Sequence, residues 1–234
     1  MAAAAAELGL IAGEEFSPMR YSISSRDYLL RARERLREGT KQGLFYAALE
    51  LRSGIEARML EYLREWEHVS KKKKSGWRII NLRKSVEEAF RVGNKIIRWT
   101  VQDGPSGNVL VIFYYTPVTP TLQKHGERLG NYLHAMKRFR GQKDPWWREF
   151  REDMEMIAAQ LEVANRGTLL GPPLMRGRTG QVDMPFELPP GSADPMTIVK
   201  AIRTSGKRVL VDVSYLDKLP SPLEPEAHVW NPAG

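Results

Sequence analysis

The chain contains no cysteine. Disulfides, thiolate-bound zinc, cysteine-held iron–sulfur clusters and thiol catalysis are thereby excluded, and a reducing, cytoplasmic location is the expectation. No apolar run approaches the roughly 20 residues that a bilayer-spanning helix needs, so no membrane association is expected. The opening MAAAAAELGLIAGEEF is briefly apolar. No basic stretch precedes it and Glu7 interrupts it, so it reads as a frayed terminus or a short helix, not as a signal peptide. His68, His125, His134 and His228 form no H-x-x-x-H or H-E-x-x-H pair, which leaves a zinc hydrolase without ligands. The P-loop, dinucleotide-binding and hydrolase-elbow patterns are missing too. No metal and no cofactor is expected.

What is present is charge in one place. Of 234 residues, 27% are charged and 42% hydrophobic, ordinary values for a chain with a real core. The net charge is +8. Residues 51–150 hold 20 Lys and Arg against 10 Asp and Glu, whereas residues 1–50 balance at 7 against 7 and residues 151–234 hold 9 against 11. A basic middle interleaved with Trp and Tyr fits a polyanion partner; a basic face kept for solubility is the plainer alternative.

The hydrophobic period sets the elements. SISSRDYLLRARERLREGT predicts a first helix, capped by Ser24 or Ser25, striped by Tyr28, Leu29, Ala32 and Leu36, and ended by Gly39. A longer helix follows from residue 41. Leu44, Ala48, Leu51, Ile55, Met59 and Tyr62 recur at steps of three and four, and Phe45, Leu49, Leu63 and Trp66 widen the stripe. Ser53, Gly54 and Ala57 are small enough to admit another helix. Glu50, Arg52, Glu56 and Arg58 are expected as intrahelical ion pairs, or as a polar groove. Lys71–Lys74 reads as an exposed loop, and Leu82, Val86 and Phe90 mark a third helix. The period then drops to two, predicting a β-hairpin near 95–116 that Pro117 and Pro120 stop. Helices are predicted over 120–140 and 144–167, the second capped by Asp144 with Pro145 at its first position and Phe150, Met154, Ile157 and Leu161 facing inward. Ten of the fifteen prolines fall in 167–234, where a hairpin is expected around Ser205 and Gly206, then a Pro-rich tail from Leu219. The fold class is α+β: a mainly helical bundle over 1–166 with an inserted hairpin, and a small β-rich module with its tail over 167–234.

One stretch concentrates chemistry: GERLGNYLHAMKRFR, residues 126–140. As a helix it places Leu129, Tyr132, Leu133 and Met136 in one apolar arc, with Asn131, His134 and Arg138 opposite and Arg128 at the seam. Arg128, Asn131 and His134 would then step around the helix within reach of one bound group. A neutral imidazole can take a ribose 2′-hydroxyl proton, an arginine fork can hold a phosphate, and an amide can orient either. Such cleavage also needs an acid, which a dimer would supply naturally. Lys71, Lys72, Lys73, Lys74, Lys137, Arg138, Arg140 and Lys143 are candidate phosphate contacts. Of Trp146 and Trp147, one is expected in the core, and Trp147 is the candidate base-stacking ring.

An arginine and a histidine separated by five residues, with a polar residue between, resemble the R-x(4–6)-H signature of the HEPN superfamily. LFYAALELRSGIEARMLEYL resembles the long helix of HEPN-like bacterial proteins. The family places its polar residue directly after the arginine; here Leu129 holds that position and Asn131 comes two later. The resemblance covers at most residues 20–165. It implies a helical bundle of a bacterial antiviral-defence or toxin–antitoxin system, directed at RNA more than DNA and working as a homodimer or with a protein partner. It implies either a metal-independent endoribonuclease with Arg128, Asn131 and His134 catalytic, or a non-catalytic nucleic-acid-binding or adaptor subunit.

Overall fold

The computed structural model describes residues 23–74, 76, 78–134, 140–176, 181–183, 185, 187 and 209–220. The expectations for the first 22 residues, for the hairpin's first strand within 191–208 and for the tail beyond 220 lie outside them. Among the described residues the architecture is α+β, with six helices and a three-stranded antiparallel sheet. No helix there is long and apolar enough to cross a membrane.

Helix α1, Ser25–Arg37, starts where the Ser24 hydroxyl accepts the amide of Asp27. It buries Leu29, Ala32 and Leu36, and Gly39 turns the chain at φ +70°. Helix α2, Lys41–Arg64, is the centre of the molecule. Its buried arc contains Leu44, Ala48, Leu51, Ile55, Met59 and Tyr62. Leu49 is a correction: it is 47% exposed and does not widen the buried stripe. Gly54 is where α1 and α6 close on α2. A Cβ there would stand 2.8 Å from Leu161 Cδ2 and 3.2 Å from Tyr28 Cβ.

Lys71–Lys74 is a single helical turn, α3, and not a loop. Two contacts overcome the repulsion of like charges: Lys73 pairs with Glu88 at 2.8 Å, and Lys74 Nζ donates to the Arg64 carbonyl at the end of α2. Helix α4, Ile79–Phe90, buries Leu82 and Phe90. Strands β1, Ile96–Asp103, and β2, Val109–Tyr115, form the expected hairpin. One face (Ile97, Trp99, Val101, Val111, Phe113, Tyr115) joins the helical core; the other (Ile96, Ile112, Tyr114) packs with Val109, Leu216 and Leu219.

Helix α5, Pro120–Leu129, leads into a 3-10 turn, Gly130–Tyr132, and helix α6 spans Trp146–Arg166. Asp144 Oδ1 accepts the amide of Trp146, the bond expected of a cap at residue 144, although the regular helix begins at Trp146, one residue after Pro145. Phe150, Met154, Ile157 and Leu161 are buried as expected. Strands β3, Leu174–Arg176, and β4, Gln181–Asp183, pair with each other. Strand β5, Val209–Leu216, runs antiparallel along β1 over all eight residues, giving the order β2-β1-β5. A strand from beyond residue 167 thus completes the sheet that the inserted hairpin begins.

Candidate functional site

The helix predicted over 120–140 ends at Leu129, and this corrects the geometry assumed for the site. Gly130 and Asn131 are weak helix formers, and Gly130 sits directly against the Arg52 guanidinium of α2, with no room for a Cβ. The chain tightens into the 3-10 turn there. Tyr132 swings onto α6, its ring centroid 4.6 Å from Phe150 and 6.0 Å from Trp146. Leu133, assigned to the apolar arc, is 38% exposed. Arg128, Asn131 and His134 therefore occupy a helix end, a 3-10 turn and a bend.

All three side chains face solvent. Arg128 donates from Nη2 to Asp153 Oδ2 of α6 at 2.8 Å. His125, half-buried one turn before Arg128, is the histidine this pair influences. Burial and the Arg128 charge hold its imidazole below the usual range, and Asp153 partly offsets them. Burial raises the Tyr132 phenol, with Arg128 pulling against it. His125, Arg128, Tyr132 and Asp153 thus form an electrostatic cluster that sequence reading missed. The spacing of His125 and Arg128 on one helix face was the available signal.

The candidate phosphate contacts fall in separate groups. Lys71 and Lys72 are exposed on α3, while Lys73 and Lys74 are engaged as described. Arg140 pairs with Asp144 at 3.4 Å and lies 4.9 Å from the Trp146 ring centroid. Lys143 is exposed. Lys137 and Arg138 lie outside the described residues. Trp147 is half-buried: Phe45 meets its ring edge-on at 6.0 Å, Lys41 Nζ lies 4.5 Å from its centroid, and its Nε1 donates to the Gly141 carbonyl.

Helix α2 supplies two arginines whose settings the sequence did not reveal. The four-residue ion-pair expectation holds only for Arg52 and Glu56, at 3.1 Å. Glu50 reaches Arg31 of α1 instead, because that helix lies against it. Arg58 is fully buried. Its Nε donates to Tyr62 Oη and the Ala164 carbonyl, Nη2 to the Gly167 carbonyl, and Nη1 to Glu61 and Glu187. Burial opposes its charge, but Tyr62, Glu61 and Glu187 outweigh burial, and its pKa lies above the ordinary arginine range. The signal was present: Arg58 shares the helical arc of Leu51, Ile55 and Tyr62.

Beside these residues an open cleft of about 570 Å³ runs between α1 and α2, lined by Tyr28, Ser53, Glu56, Leu60, Glu61 and Glu187 among others. Burial raises the Glu56 carboxyl, with Arg52 opposing. Among the described residues, no group of three or more His, Asp or Glu is gathered as a metal cluster.

No family model matches this chain, and comparison with curated proteins and with solved structures finds no match either.

Proposed function

We propose that this chain is a nucleic-acid-directed protein that binds RNA in preference to DNA, with a HEPN-like bundle serving a bacterial defence or toxin–antitoxin system. The observation that carries the binding part is the surface where α5 meets α6. Arg128, Asn131 and His134 are solvent-facing there, and Tyr132 links them to Trp146, which carries Arg140. Cations beside aromatic rings suit phosphates and unstacked bases. Binding is favoured over cleavage because Asp153 neutralises Arg128 and the three polar residues share no helix face.

Labelled single-stranded RNA followed by fluorescence anisotropy tests this. With about three phosphate contacts, affinity falls roughly 20-fold between about 50 and 200 mM salt. The RNA stays intact with the parent and with His134→Ala alike. An absence of binding at the lower salt defeats the proposal.

A second reading, a metal-independent endoribonuclease acting as a homodimer, draws on the exposure of His134 and Asn131 close to Arg128. RNA cleavage abolished by His134→Ala, in the presence of a chelator, selects it.

A further inference from the structure

We propose that Arg52 is the phosphate-gripping residue of this surface, presenting its guanidinium fork to a nucleic-acid backbone phosphate beside the exposed amide of Asn131. The inference rests on the nucleic-acid reading above and adds a residue from a different helix.

Three observations support it. Arg52 spends only Nε on Glu56, at 3.1 Å; Nη1 and Nη2 make no hydrogen bond among the described residues. Arg128 does the opposite, committing a terminal nitrogen to Asp153. A guanidinium whose two terminal nitrogens make no hydrogen bond among the described residues has donors to offer two oxygens of one phosphate.

The second observation is position. Ile55 of α2 packs on Gly126 of α5, and one turn earlier on α2 Arg52 lies on Gly130, one turn later on α5. The guanidinium is therefore held under the 3-10 turn, immediately before Asn131 in the chain.

The third is pre-organisation. The Arg52 side chain is 25% exposed against 43% for Arg128. Glu56 fixes its Nε, and its Nη1 lies against Gly130, where a Cβ would stand. A side chain already immobilised loses less entropy when it binds. Glu56 also lines the 570 Å³ cleft, so Arg52 stands at the border between that cleft and the α5 turn.

The test compares the parent protein with Arg52→Lys, Arg52→Gln and Gly130→Ala, with Arg37→Gln on α1 as a charge-matched control. Anisotropy with labelled single-stranded RNA is read at several salt concentrations, and thermal melts report folding. Arg52→Lys keeps the charge and a partner for Glu56 but loses the fork; it weakens binding about tenfold, the scale of one charge-assisted hydrogen bond. Arg52→Gln weakens it at least as much and lowers the salt slope by about one contact. Gly130→Ala displaces the fork with every charge intact and also weakens binding. Arg37→Gln leaves affinity within about twofold, the scale expected of a charge outside the contact surface. If Arg52→Gln or Gly130→Ala melts early, Arg52→Lys decides. RNA bound by Arg52→Lys and Arg52→Gln as tightly as by the parent overturns this inference and leaves the binding reading standing. RNA bound by none of the proteins, the parent included, overturns both.

Discussion

His125 and Arg128 sit three residues apart on one face of α5, and Asp153 faces them from α6. Burial and the arginine charge disfavour the imidazolium, while the carboxylate favours it, and the balance lies below the usual value of about 6.5. Two substitutions should move this titration in opposite directions. Arg128→Gln removes a cation and raises the His125 midpoint; Asp153→Asn removes the carboxylate and lowers it further. Proton NMR of the imidazole against pH reads both, and a parent midpoint above the ordinary range would contradict the argument. The linkage has a definite sign. With the folded pKa depressed, the unfolded chain binds the proton more readily, so stability falls as pH drops through the unfolded value toward the folded one. Because His125 is only partly buried the slope is shallow, and His125→Gln should flatten it in urea midpoints taken between neutral and mildly acid pH.

At the scale of elements, close approaches at glycine decide the packing, and they differ in what a methyl group would meet. At Gly54 the nearest atom is the Leu161 methyl, which can rotate away, and replacing a mid-helix glycine returns about 1 kcal/mol of propensity. At Gly167 the added Cβ would stand 2.9 Å from the Thr116 amide nitrogen and 3.0 Å from the Tyr114 carbonyl, backbone atoms of the chain leaving β2. These cannot yield without breaking the bonds that Leu169 and Gly167 make to Tyr114 O and Thr116 Oγ1. Gly167→Ala should therefore be less stable than Gly54→Ala by roughly 2 kcal/mol, the scale of overpacking, in urea unfolding. Equal stabilities would show that the Gly167 crossing relaxes. The same contrast explains what was legible in the sequence. Helix α2 was readable because a long helix covered on several sides repeats its buried arc many times, and its small residues announced the α1 and α6 crossing. The end of α5 was not, because a helical wheel assumes continuity, whereas the chain tightens into a 3-10 turn at Gly130, where Arg52, distant in the chain, lies against it. The apolar arc held at Leu129 and Tyr132, which pack on the core, and failed at Leu133, and with it failed the single-face arrangement of Arg128, Asn131 and His134.

For the whole molecule the question is how chain beyond α6 is joined to the bundle. Beside single contacts such as Trp66 Nε1 to the Leu170 carbonyl and Lys95 to Asp217, two attachments make several bonds each. Strand β5 lies on β1 through eight paired residues, covering an edge that would otherwise offer unpaired amides and carbonyls. Arg58 is the other. From the middle of α2 it reaches carbonyls 106 and 109 residues away, at Ala164 and Gly167, and a carboxylate at Glu187. One planar group satisfies five acceptors, and no other side chain has donors enough to replace it. Arg58→Met preserves most of the volume but takes the guanidinium from Glu61 and Glu187, which keep the Ser25 amide and Arg26, and from the Gly167 carbonyl, while the Ala164 carbonyl keeps the Thr116 hydroxyl. Losing several charge-assisted hydrogen bonds at once costs about 3 kcal/mol, a large part of the stability of an ordinary domain. Arg58→Lys should recover little, since a single ammonium cannot span carbonyls and carboxylates on opposite sides. The triple variant with Glu61→Gln and Glu187→Gln added to Arg58→Met should regain part of the loss, because it removes the two carboxylate charges that the guanidinium balanced. Urea unfolding of the four proteins separates the contributions. If Arg58→Lys matches the parent, the fork geometry is immaterial and charge alone joins α2 to the exit of α6. If the triple variant is no better than Arg58→Met, the carbonyl bonds dominate and the carboxylates are incidental.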